Sequence, residues 1–385
     1  MPPKNQATDS VYHHASCAKI GIRFINADRA LNQNSVGQFI DWLKMLSLDR
    51  LVHIVSNDRG SGVSIHAHMD LAESDTTRLC EILNLDTINR REDLEREILL
   101  AMLIAPLPFE FPCYEELESA VRIRCNIVAA ARKTALAFHT TEVDRPTAYW
   151  EYTAGRGFTL LPEKSLIDAL VMATQPDVSG RCYSFSCYRA TEYVMLLGLV
   201  QELAQCHPEL LERLEDQWRV EPIMSGPFHD VFLREHGSME NPLPGKYYVP
   251  GGRVWFRNPD PESAEVTGYE GSWVIYLGNG LFSNFWDAHK PYTLTSKCME
   301  IFHWRYATYR DAEGTLQMDE CKVQALTEVA MSSPGQVKLI LDKMVRYRDA
   351  RGVYQDGGCI DTSREYMRWV RPGTSDLALP STCFA

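Results

Sequence analysis

Cys182-Tyr183-Ser184-Phe185-Ser186-Cys187-Tyr188-Arg189-Ala190-Thr191 runs straight into an apolar stretch over residues 194–203. The pattern predicts a helix from Cys187 to about residue 205, with the cysteine in its first turn. A thiol there faces loose backbone N–H groups and the positive end of the helix dipole. Both favour thiolate over thiol, which makes Cys187 the candidate nucleophile. The alternative at this point is a small buried residue capping a core helix.

The chain has 385 residues, a formal net charge of −12, 45% hydrophobic residues and 23% charged residues. This is the composition of a folded globular protein, long enough for two domains or for one large domain with additions. The negative balance argues against broad attraction to nucleic acid or anionic membrane, and counts against a tRNA-borne substrate. No stretch approaches the roughly 18–20 apolar residues of a membrane span. Met1-Pro2-Pro3-Lys4-Asn5-Gln6 lacks the apolar segment of a secretory signal. Eleven cysteines without a CxxC pair point to free thiols in a reducing, cytoplasmic setting.

Residues 1–16 read as a disordered tail, 17–105 as an N-terminal α/β region, 106–310 as the core, and 311–385 as C-terminal helices with an irregular tail. In the N-terminal region, a strand is expected over 18–25 and a helix over 35–46. A strand pair, 51–55 with 63–68, brackets the turn signal Asn57-Asp58-Arg59-Gly60. Helices follow over 74–83 and 92–104. A long helical stretch over 114–138, a hairpin over 148–161 and a short helix over 162–173 precede Cys187. Strands are expected at 245–250, 253–257 and 272–277, then helices over 295–305 and 326–346. A helix-rich half bearing a cysteine at a helix start, followed by a strand-rich half, is an α+β layout of papain-like type. Such folds draw the nucleophile from the helix and the base from a strand packed on it.

Five blocks carry a resemblance. Arg124-Cys125-Asn126-Ile127-Val128-Ala129-Ala130-Ala131, Tyr149-Trp150, Phe185-Ser186-Cys187-Tyr188-Arg189-Ala190, Gly252-Arg253-Val254-Trp255-Phe256-Arg257-Asn258-Pro259 and Gly271-Ser272-Trp273-Val274-Ile275-Tyr276-Leu277-Gly278 occur in that order. Together they resemble the Bacillus spore-type protein-glutamine gamma-glutamyltransferases, over roughly residues 122–305. The resemblance implies a transglutaminase-like, papain-like thiol fold and acyl transfer by a Cys–His–Glu set. In that reaction a cysteine attacks a glutamine side-chain amide, ammonia leaves, and a lysine amine takes the acyl group. The same alignment places the family's catalytic glutamate on Ser272 and its histidine on Phe285. The glutamate beside the cysteine becomes Ser186.

Another base is therefore needed within reach of Cys187. His289 lies in the loop where the family delivers its histidine, and Asp287 stands ready to orient it. Glu270 shares strand parity with Ser272 and is the second candidate. His229 and His236 come next, while His303 reads as a residue of the following helix. Arg189 and Glu192, one turn past Cys187, suit a substrate's charged end or a structural ion pair. Trp255 belongs to an aromatic group fit for a sheet core or a pocket wall. His66-Ala67-His68 lacks neighbouring ligands and reads as structural, so no metal or other cofactor is expected. Asp356-Gly357-Gly358-Cys359-Ile360-Asp361 reads as a surface turn with a possible second thiol.

The expected activity is amide-bond formation through a thioester on Cys187. The expected donor is an activated or small-molecule amino-acyl group, as in dipeptide or cyclodipeptide formation, and the acceptor an amine. Protein crosslinking at glutamine, an aminoacyl-tRNA donor, hydrolysis and a non-catalytic scaffold are the alternatives.

Overall fold

Gly198 is where two long helices meet. In the computed structural model, which describes residues 21–56, 63–67, 75–139, 143–222, 224–348, 357–377 and 379, helix Tyr114–Lys133 packs along helix Cys187–Cys206. A Cβ on Gly198 would lie 2.4 Å from Ile127 Cγ1, so the helices approach too closely for a side chain there. The Cys187 helix is apolar on nearly every side. Ala190, Tyr193, Val194, Leu196, Leu197 and Val200 are all buried, as in a helix enclosed by other elements. Trp150, Leu170 and Trp218 complete the cluster around it.

A six-stranded sheet flanks this layer, in the order Tyr292–Thr293, Leu281–Phe282, Gly271–Gly278, Arg253–Arg257, Arg364–Met367, Leu233–His236. All neighbours are antiparallel. Side chains alternate across Gly271–Gly278, as a pleated strand requires. Ile275 and Leu277 enter the cluster around the Cys187 helix. Val274 and Tyr276 enter another, with helices Leu294–Trp304, Glu320–Met331 and Pro334–Met344. The sheet thus divides two helical layers. The register Phe256↔Ser272 and Trp255↔Trp273 puts Ser272 on the Leu294–Trp304 side, at the strand's start.

A second sheet has the order Val52–Ser56, Val63–Ala67, Ile22–Phe24, Phe109–Phe111. It packs on helices Arg29–Met45 and Arg91–Leu103, and Val121, Cys125 and Val128 of the long helix enter the same core. The boundary expected after residue 105 therefore falls inside one shared layer. Phe109–Phe111, beyond that boundary, pairs in parallel with Ile22–Phe24.

Two further expectations are corrected. The helix expected over 326–346 is two helices, because Pro334 lacks an N–H and holds Ser333 extended at φ −118°, ψ 104°. The irregular tail contributes the interior strand Arg364–Met367. Its adjacent charged residues, Arg364 and Glu365, disguise it: Glu365 pairs with buried Arg253 at 2.5 Å. Two unforeseen helices, Pro208–Val220 and Ser225–Phe232, fill the connection after the Cys187 helix. The expected tail 1–16, the turns at 57–62, His68 and Asp356 lie outside the described residues. Cys359 is fully buried against Cys298, with 3.6 Å between the sulfurs, and is not on a surface turn. Every described cysteine is a free thiol. Among the described residues no helix is long and apolar enough to cross a membrane.

Candidate active site

Ser186 sets the position of the thiol. Its hydroxyl accepts the Arg189 N–H at 3.3 Å, so the helix begins at Cys187. The preceding loop is held from behind. Ser184–Phe185 pairs in parallel with Ala137–Phe138. Asp144 accepts the Ser184 N–H at 2.6 Å, and Arg145 donates to the Ser184 carbonyl at 2.9 Å. The Arg145 guanidinium also lies 3.3 Å from the Phe185 ring centre, a cation–π contact.

Cys187 is half-buried and opens onto a cavity of about 480 Å³, within the range of small-molecule sites. The cavity lies at the start of the Gly271–Gly278 strand, where the two helical layers meet. Cys187 comes from one layer, and Lys297 and Glu300 from the other. Phe138, Tyr269, Trp286, Tyr292 and Trp304 wall it, Ser272 lines it, and Asp287, Lys290, Glu320 and Glu328 add charge.

Burial pushes the Cys187 thiol above its ordinary pKa. The backbone N–H of Trp273, the Lys297 ammonium and the Tyr188 N–H pull it back down, and the Glu270 carboxylate opposes them. The site therefore carries a desolvated sulfur with two backbone donors and one cation favouring its anion. Burial still outweighs them, so the resting sulfur is held as the neutral thiol and these groups meet its charge only once the proton has left.

Lys297 went unforeseen. It is 2% exposed, donates to Glu300 Oε1 at 3.1 Å, and rests 3.9 Å from the Tyr292 ring centre. Burial, and then the charge of Glu300, push the Tyr292 hydroxyl well up. A sequence signal existed: Lys297 sits among Leu294, Cys298 and Ile301, at the i, i+3, i+4, i+7 spacing of a buried helix face. Thr293 and Ser296 form a capping box that starts this helix.

A family model for protein-glutamine gamma-glutamyltransferase matches residues 79–378. The chain belongs to this family. It is an enzyme of the acyltransferase class, and its described elements form an α+β core. A solved transglutaminase from Geobacillus stearothermophilus, without its C-terminal extension, is similar over 56% of this chain and 98% of its own, at 21% identity and a TM-score of 0.37. No curated protein matches.

Within this family member, the positions that the resemblance marks are filled by other chemistry. Phe285 is a core residue, 2% exposed, whose carbonyl accepts the Leu136 N–H. Ser272 lines the cavity beside Cys187 with a hydroxyl and no carboxylate.

His289, the leading candidate base, is exposed and does not line the cavity. Its loop closes on itself: Asp287 Oδ1 accepts the His289 backbone N–H at 3.1 Å, and Asn284 donates to the Lys290 carbonyl at 3.0 Å. Asp287 lines the cavity but holds this backbone, not the imidazole. Glu270 is exposed, accepts the Gly268 N–H, and lies outside the cavity wall. Its charge opposes the thiolate.

Arg189 and Glu192 form an ion pair at 2.6 Å along the helix and do not line the cavity. Trp255 stacks on Trp273, with centroids 5.5 Å apart and planes 10° from parallel, also outside the cavity. His229 pairs with Glu365 at 3.1 Å, His236 stacks on Phe109 at 4.2 Å, and His303 is buried in its helix. Among the described residues no histidine lines the cavity, and no group of His, Cys, Asp or Glu is arranged to hold a metal.

Proposed function

We propose that this enzyme forms amide bonds through a thioester on Cys187, using an activated or small-molecule amino-acyl donor in place of a protein glutamine. The carrying observation is the cavity itself. It retains the cysteine at a helix start, yet a serine occupies the carboxylate position and no described histidine reaches it. Expelling ammonia from an amide demands strong general-acid help, typically about 10²- to 10⁴-fold in rate. An ester or comparable donor expels a better leaving group and demands less. The carboxylates of Glu300, Glu320, Glu328 and Asp287 around the cavity suit the ammonium of an amine or amino-acid acceptor. Dipeptide or cyclodipeptide formation fits these features.

Intact-mass analysis tests the proposal. Incubation with an aminoacyl ester should add one acyl mass, mapped to Cys187 and absent in Cys187→Ala. Transfer to an added amine should then clear it. A Cys187 adduct from a glutamine peptide and none from the ester would reverse the donor assignment.

A further inference from the structure

We propose that Lys297 is the proton-transferring partner of Cys187, filling the role for which no described histidine is placed. The inference rests on the acyl-enzyme reading above. Cys187 and Lys297 line one cavity, from opposite helical layers. Lys297 is almost wholly buried, yet Glu300 at 3.1 Å and the Tyr292 ring at 3.9 Å hold its ammonium in place. A long, flexible lysine is costly to fix and to bury, and a purely structural ion pair at i,i+3 is normally left on the surface. Here the pair is turned into the cavity that holds the thiol.

The chemistry balances without a further reactant. Attack proceeds from the ionised fraction of Cys187: with Lys297 as ammonium, the sulfur attacks the donor carbonyl and a C–S bond forms. The tetrahedral adduct collapses, the C–O bond to the leaving alcohol breaks, and Lys297 gives its proton to the departing alkoxide. The acceptor amine then attacks the thioester and loses a proton to the neutral Lys297 amine. Expulsion of the sulfur restores thiolate and ammonium. Glu300 and Tyr292 act as positioning residues that hold the ammonium through both steps.

The discriminating experiment compares leaving groups in wild type, Lys297→Met and Lys297→Arg. The probes are an N-acetylaminoacyl ethyl ester and the matching 4-nitrophenyl ester, with Cys187 acylation followed by intact mass. A nitrophenolate leaves without a proton and an ethoxide does not. Lys297→Met should therefore lose about 10²-fold or more with the ethyl ester and far less with the nitrophenyl ester. Lys297→Arg keeps the cation and should preserve the pH profile of Cys187 alkylation. It should still lose the ethyl-ester reaction, because guanidinium is a poor proton donor. Equal losses with both esters, or no loss with either, would overturn the role of Lys297. If Lys297→Met unfolds, Lys297→Arg decides on the same two ratios. Absence of any Cys187 adduct in the wild type would instead overturn the acyl-enzyme reading beneath it.

Discussion

Gly198 lies against the backbone of Ile127: an added Cβ would come within 2.8 Å of the Ile127 nitrogen and 2.4 Å of its Cγ1. The helix carrying Cys187 is thereby fixed against the helix Tyr114–Lys133, and Asn126 Nδ2 donates to the Gly198 carbonyl at the same crossing. Gly198→Ala should destabilise the protein by about 1–3 kcal/mol, because backbone and core side chain must both yield. Gly335, exposed in the first turn of helix Pro334–Met344 with nothing within 4 Å of its Cβ position, is the control. Gly335→Ala should be neutral or stabilising by up to about 1 kcal/mol. Urea unfolding of the two variants measures the difference, and equal effects would show that the helices separate easily.

Cys187→Ala should abolish acyl-adduct formation while leaving the melting temperature close to that of wild type, since the side chain is small and opens onto a cavity. His289→Ala should leave the pH profile of Cys187 alkylation unchanged. A raised apparent thiol pKa in that variant would place the imidazole beside the sulfur in solution.

Glu192 couples stability to pH. Burial pushes its carboxyl from 4.5 up to about 6, against the pull of Arg189 and then Arg253. The folded state therefore holds the proton more tightly than the unfolded chain. The stability this contributes is fully present below about pH 4.5 and is lost as pH rises through about 6, a swing of about 2 kcal/mol. Glu192→Gln should flatten the stability profile across that window. Denaturant midpoints between pH 4 and 7 test it, and an unchanged slope would assign the charge balance to other groups.

His236 works in the opposite sense. Burial, then Arg124 and Arg364, depress its pKa from 6.5 to about 4. Its contribution is present above about pH 6.5 and is lost as pH falls through about 4, amounting to about 3 kcal/mol. His236→Phe, which keeps an aromatic ring against Phe109, should improve resistance to acid. Acid-titration midpoints below that of wild type are the expected result.

Local signals in the sequence reveal the Cys187 helix. A first-turn thiol and an unbroken apolar run are contiguous, so the helix and its buried state follow from short-range chemistry, while the capping role of Ser186 emerges only in the structure. The strands Arg253–Arg257 and Gly271–Gly278 are likewise visible as two β-branched and aromatic segments, and the structure pairs them. What escapes is what depends on distant partners. Arg364–Met367 looks like tail until Arg253 neutralises Glu365 across the sheet. Lys297 looks like an ordinary helix lysine until Glu300 and Tyr292 show where it is held. His289 looks suited to the site by proximity in sequence, but the turn made by Asn284 and Asp287 leaves the imidazole in solvent.

The strand Arg364–Met367 lies inside the sheet, between Arg253–Arg257 and Leu233–His236, both of which precede it in the chain. During synthesis the ribosome makes the nucleophile's helix, and the strand that meets it, long before the residues that join the sheet's two parts. The sheet beside Cys187 cannot close until translation has passed Met367. A nascent polypeptide that stops short of this strand already carries every residue lining the cavity, yet its sheet is still in two parts.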